Sequence, residues 1–118
     1  MLSIPEEHEL IGFFETEPEL ASADAPWCYN QLTFRTVRGS DRITCQIEPA
    51  SAELSIWWER DSRPCVSLKL NRVESLSVHI AKNDDYMVVS GESMRPSTLL
   101  KLRLKPHVSF EFECWHES

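Results

Sequence analysis

VSLKLNRVESLSVHI, residues Val66 to Ile80, keeps a period of two for longer than any other part of the chain. Val66, Leu68 and Leu70 alternate with Ser67, Lys69 and Asn71. After Val73-Glu74-Ser75, Leu76, Val78 and Ile80 alternate with Ser77, His79 and Ala81. Successive side chains of a strand point to opposite faces, so this pattern predicts one buried and one wet face. It reads as a central strand, a short break over Arg72–Ser75, and a second strand. Its inward residues are aliphatic and its outward ones mostly Ser, Lys, Asn and His. That makes it a spine for the fold rather than a place for chemistry.

Upstream, the same period returns in shorter pieces between turn signals. Leu32 and Phe34 share a face; Arg38-Gly39-Ser40-Asp41 is a turn; Ile43, Cys45 and Ile47 alternate with Thr44, Gln46 and Glu48. Pro49–Ala52 is a second turn, and Leu54, Ile56 and Trp58 alternate with Ser55, Trp57 and Glu59 before the turn Arg60–Pro64. Downstream come a turn at Lys82–Asp85, a strand at Tyr86–Val89 and a loop at Ser90–Ser97. Leu100, Leu102 and Leu104 then alternate with Lys101, Arg103 and Lys105, which makes a basic outer face. Past Pro106, Val108, Phe110, Phe112 and Cys114 alternate with Ser109, Glu111 and Glu113.

The opening reads as a short helix. Ser3 caps it at capping-box spacing from Glu6, with Pro5 in the first turn. Leu10, Ile11, Phe13 and Phe14 form the apolar stripe, Gly12 allows close approach to a sheet, and Pro18 ends the helix. The whole predicts an α+β domain, mostly β: an N-terminal helix packed on an antiparallel sheet or sandwich of about seven to eight short strands. Residues 1–118 read as a single domain, with an acidic helical segment at 1–20 and the antiparallel region at 27–115.

The chain of 118 residues is long enough for a single core without staples. No apolar run approaches the ~20 residues that cross a bilayer. The N-terminus lacks a basic and then apolar leader, so the expected compartment is the cytoplasm. Cys28, Cys45, Cys65 and Cys114 form no CxxC pair and read as thiols acting as small apolar residues. The net charge is −7, and residues 1–24 hold seven acids and no Lys or Arg, while residues 25–118 hold twelve acids and twelve basic residues. This segregation disfavours nucleic-acid and anionic-membrane partners and favours a basic protein partner.

Catalytic signatures are missing. His8, His79, His107 and His116 are scattered without metal-ligand spacing, so no metal or other cofactor is expected. Three glycines leave no phosphate loop, and no GxSxG elbow occurs. Cys45 and Cys114 fall at inward strand positions and look structural, and Glu111 with Glu113 reads as a solvated face. The chain is therefore not expected to be an enzyme.

Two features suit binding. One is the acidic face Glu6, Glu7, Glu15, Glu17 and Glu19, which is either complementary to a basic partner, simply solvated, or paired with the basic face of Lys101, Arg103 and Lys105. The other is aromatic: Trp57 points away from Ile56 and Trp58, beside Glu59 and Asp61, and Trp115 lies next to His116. Exposed Trp flanked by acids is hot-spot material; equally, Trp57 could lie under the N-terminal helix.

Three elements carry a family resemblance. They are FF-x-x-x-P-x-L (Phe13-Phe14 to Pro18-Glu19-Leu20), V-x-L-x-L-x-x-V-x-x-L-x-V (Val66–Val78) and L-x-P-x-V (Leu104–Val108). Together they span nearly the whole chain, which resembles the immunity protein 50 family of bacterial polymorphic-toxin systems. Glu15 departs from it, standing where the FF element has a glycine. The resemblance implies a small cytoplasmic protein that binds and neutralises a cognate toxin domain, without catalysis or cofactor. No functional residues carry over. The expectation is an inhibitor that occludes the toxin's substrate or active site, with the acids steering and Trp57, Glu59 and Asp61 anchoring. A small-ligand-binding β-domain, which needs an apolar cavity, and a non-catalytic accessory or chaperone of a secretion system are the alternatives. Oligomeric state is open.

Overall fold

The computed structural model describes residues 2–91 and 97–115, with the backbone alone at Ser97, Thr98, Cys114 and Trp115. Helix α1 (Glu7–Phe14) is followed by nine strands: β1 (Glu19–Leu20), β2 (Leu32–Arg38), β3 (Asp41–Glu48), β4 (Glu53–Arg60), β5 (Arg63–Leu70), β6 (Ser75–His79), β7 (Asp85–Gly91), β8 (Ser97–Lys105) and β9 (Ser109–Trp115). They form two antiparallel sheets, β1-β2-β3-β4-β5 and β6-β7-β8-β9. The expected α+β, mostly β architecture is what the chain adopts.

Within each sheet every strand lies beside its sequence neighbour, and most pairs are joined by short turns. The β4–β5 loop is the two residues Asp61 and Ser62, with φ of 52° and 63°. Two left-handed residues are the signature of the type I′ turn, whose twist matches that of the strands it joins. Strand β3 shows strict alternation, with Ile43, Cys45 and Ile47 buried and Arg42, Thr44 and Gln46 not. Leu32, Phe34, Leu54 and Ile56 of the first sheet and Leu76, Met87, Val89, Leu100 and Leu102 of the second complete one core.

The spine is not central. Residues 66–80 hold the end of β5 and all of β6, which are edge strands of different sheets. The break between them is a crossing. Arg72 takes φ of 59°, Val73 is buried, and the Val73 N–H donates to the Ala52 carbonyl at 3.0 Å. The alternation survives because β5 and β6 each bury one face, but period two says nothing about which sheet a strand joins. Ile80 lies past the end of β6 and is 49% exposed, not buried.

The helix is shorter than expected and is bounded differently. Ser3 does not cap it. Ser3 instead pairs alongside β6, taking a hydrogen bond from Leu76 N–H and giving one to the Glu74 carbonyl. Glu6 occupies the cap position without a side-chain cap bond. Helix α1 stops at Phe14 because Glu15 adopts the left-handed conformation, φ 57° and ψ 32°, well before Pro18. That conformation is the one a glycine takes most cheaply at a helix end. Glu19 and Leu20, expected in the helical segment, pair instead with Thr33 and Leu32.

Leu10, Phe13 and Phe14 are fully buried. Phe14 stacks on Phe34 of β2 at 4.6 Å and 19°, and Phe13 meets Phe14 edge-on at 4.9 Å. Gly12 faces Ile80, whose Cδ1 would lie 3.5 Å from an added Cβ. The helix thus closes the side of the sandwich between β2 and β6.

Candidate functional site

The outer face of the five-stranded sheet gathers the aromatic candidate and its neighbours. Register puts Arg35, Thr44, Trp57 and Ser67 in one cross-strand row and Val37, Arg42, Glu59 and Pro64 in the next. Trp57 is 40% exposed and Val37 63% exposed, so an indole and an isopropyl group stand in solvent within a mixed-charge field. Trp57 is not under α1, which packs beside β2 and β6 instead.

Trp57 points outward because Trp58 is held inward. The Trp58 Nε1–H donates to Asp41 Oδ1 at 2.8 Å, and its ring stacks on Phe110 at 5.4 Å. Arg60 binds the same carboxylate at 2.7 Å and lies 5.2 Å over the Trp58 ring. The Arg60 hydrogen bond, against the cost of burial and with help from Trp58, holds the Asp41 carboxyl below its ordinary range. This lock fixes the end of β4 from which the Asp61 turn projects.

The acidic candidates do not share one surface. Glu19 joins the open face, bound to Arg35 by two contacts of 3.2 Å. Asp61 is exposed at the hairpin tip, next to Glu59 on the strand. Glu6 and Glu7 are exposed at the start of α1, and Glu17 is exposed in the segment after it. Glu6, His8 and Glu9 bring one ligand atom each within 4.8 Å of one another, with Glu6 and His8 exposed and Glu9 half-buried.

Glu15 is committed internally. Its carboxylate meets Lys105 Nζ of β8 at 2.6 Å and Arg38 of β2 at 3.3 Å, so it ties the helix end to both sheets. Arg38 also donates to the carbonyls of Phe13 and Phe14, the last of the helix. The Lys105 hydrogen bond, opposed by burial, lowers the Glu15 pKa. One member of the acidic face is thus paired with the basic strand. The rest of that strand turns elsewhere: Lys101 Nζ lies 4.1 Å over the Tyr86 ring, and Arg103 binds Asp84.

Cys45 is fully buried, and desolvation pushes its thiol up to about 12. Cys28 is half-buried, but Cys65 is exposed, against the expectation of a buried or half-buried thiol. The side chains of Cys114 and Trp115, and all of His116, lie outside the described residues. Two surface hollows are lined mostly by charged and polar residues: about 30 Å³ between Glu48, Glu53 and Lys69, and a shallow one of about 530 Å³ at Arg60, Asp61, Arg63 and Cys65. No described helix is long and apolar enough to cross a membrane.

The face also contains residues that were not among the site candidates: Arg35, Val37, Arg42 and Thr44. Their signal was present in the alternation of β2 and β3. Counting back from the Gly39 turn pairs Val37 with Arg42, and the next hairpin carries Thr44 to Trp57.

This fold has a solved counterpart. One chain of a contact-dependent growth inhibition toxin–immunity protein complex from Klebsiella pneumoniae 342 matches it with a TM-score of 0.79, over 96% of both chains, at 14% identity. At that identity the likeness is one of fold. No family model and no curated protein sequence matches the chain.

Proposed function

We propose that this chain is an immunity protein, one that binds and neutralises a cognate bacterial toxin domain by covering its substrate or active site. The observation that carries the reading is the fold match to a toxin–immunity complex over 96% of both chains. Such a complex contains two kinds of chain. The acid excess and the resemblance to the immunity protein 50 family favour the inhibitor over the toxin. An acidic inhibitor suits a toxin surface built to hold an anionic substrate, and the same charge speeds encounter.

In this reading Trp57 anchors the contact with Glu59 and Asp61 at its border, and Glu6, Glu7, Glu17 and Glu19 steer. Glu15, held between Arg38 and Lys105, acts on the helix rather than on the partner. The experiment is titration calorimetry of the purified chain with the toxin domain encoded directly upstream of it. Trp57→Ala should weaken binding by about 30-fold, the size of a hot-spot loss of ~2 kcal/mol. Glu6→Lys/Glu7→Lys/Glu17→Lys should weaken binding at low salt and match wild type at high salt. Unchanged binding in both variants sinks this surface, and absence of wild-type binding sinks the function.

A further inference from the structure

The four edges of the two sheets are protected to different degrees. A bare edge presents unpaired N–H and C=O groups that template another strand. β1 is only two residues long. β5 carries Arg63, Pro64 and Lys69, and its ladder with β4 is irregular between Trp58 and Glu59. β6 is bridged on its outer side by Ser3. β9 spans seven residues without Pro, Lys or Arg, and no described strand lies beyond it.

The side chains of β9 say what it would accept. Phe112 is 49% exposed, although it belongs to the apolar set of its strand. Glu111 and Glu113 are exposed on the other face and make no ion pair among the described residues. Lys101 stands opposite Glu111, yet its ammonium lies over Tyr86 instead.

A second copy of this chain is a poor fit. Antiparallel pairing that keeps faces aligned sets Glu111 opposite Glu113 when centred on Phe112. Moved along one step either way, it sets Glu111 opposite itself or Glu113 opposite itself. Like charges directly opposite destabilise a ladder, so self-pairing is opposed in each of these registers.

We propose that β9 receives an extended segment of a basic protein partner. Its Lys or Arg residues would sit opposite Glu111 and Glu113, and its alternate apolar residues beside Phe112. This rests on the toxin-binding reading and adds an edge to it, together with the sequence chemistry of the segment that edge takes.

The test uses the full ¹⁵N-labelled chain and a short capped peptide of alternating Lys and Val, with a Glu–Val peptide as control. The Lys peptide should shift amide resonances of residues 109–113 and slow their hydrogen exchange, and the Glu peptide should bind at least about tenfold more weakly. Glu111→Lys/Glu113→Lys should reverse the preference; both sites are exposed, so the fold should tolerate the change. Shifts centred on Trp57 or α1, or equal binding of the two peptides, overturn the proposal. Independently, Glu111→Thr/Glu113→Thr removes the repulsion and should raise the dimer fraction in sedimentation velocity; an unchanged distribution overturns the bare edge. If Glu111→Lys/Glu113→Lys binds the upstream-encoded toxin domain as wild type does, the edge proposal fails and the immunity reading stands. If wild type takes the Lys peptide at β9 but ignores the toxin domain, the edge proposal holds for another basic partner and the immunity reading fails.

Discussion

Truncating Phe14 to Ala tests whether α1 is part of the core or an acidic arm laid over it. Phe14 has no exposed surface and stacks on Phe34 at 4.6 Å. A buried aromatic ring removes roughly 150–200 Å² from water, which at ~25 cal/mol per Å² is worth about 4–5 kcal/mol. Losses for buried Phe→Ala run at about 3–5 kcal/mol, since the cavity left behind offsets what the remaining methyl retains. We expect about 4 kcal/mol, a large part of the ~5–15 kcal/mol that holds a domain of this size together. In urea, with a slope of about 1.5 kcal/mol/M, the midpoint should fall by about 2.7 M with the slope unchanged. A double-mutant cycle with Phe34→Ala should return a coupling of about 1 kcal/mol from the stacked pair. A loss below about 1 kcal/mol at constant slope would refute the reasoning, because it would mean that the helix lifts off without disturbing the sandwich.

Other outcomes follow from the same contacts. Glu15→Gly gives up the pairs to Arg38 and Lys105 but relieves a left-handed backbone that costs a non-glycine residue about 1 kcal/mol; Glu15→Ala gives up the pairs and keeps the strain. Thermal melts should therefore rank Glu15→Gly above Glu15→Ala, and the reverse order would mean that Glu15 is not strained. Asp41 has a lowered folded pKa, so its contribution is present above the unfolded carboxylate pKa of ~3.9 and is lost as pH falls through the folded value. Asp41→Asn should be less stable than wild type at pH 7 and converge with it at the acid end; a constant difference across the pH range would remove Asp41 from the acid limb. With an aromatic disulfide reagent at pH 8, Cys65 should react at once and Cys45 only on unfolding, since its thiol titrates near 12. Rapid labelling of Cys45 in the folded chain would contradict its burial. Gly12→Ala should gain about 0.5–1 kcal/mol in urea, because the added methyl meets Ile80 at ordinary contact distance; a loss would mean that the helix lies closer to Ile80 than 3.5 Å.

Much of the local structure was legible in the chain. The period of two in Ile43-Thr44-Cys45-Gln46-Ile47 places three side chains inside and two outside whatever the sheet's partners, because a strand alternates by its own geometry. The outward position of Trp57 followed from the same rule, given Ile56 and Trp58 on either side. The helix end was less legible: Pro18 marked it, whereas Glu15, which stands where the resembled family has a glycine, already takes the left-handed backbone. The capping box at Ser3 misled because a short-range pattern competed with a better long-range partner. The Ser3 backbone found β6, seventy-odd residues away, and the helix began without it.

The local pattern of the chain sets most inward positions, most turns and the division of charge, and the alternation sets the antiparallel β class, although Ile80 and Phe112 end up exposed. Those properties depend on neighbours within a few positions. Long-range packing makes Val66–Ile80 cross between two sheets as two edges rather than run through the centre of one. The same packing commits Glu15 to Arg38 and Lys105 while Glu17 stays in solvent, and leaves β9, among the described residues, as an edge with Phe112 exposed. Each of these depends on groups far apart in the chain, and neither periodicity nor net charge carries information about which distant partner a side chain or a strand edge will meet.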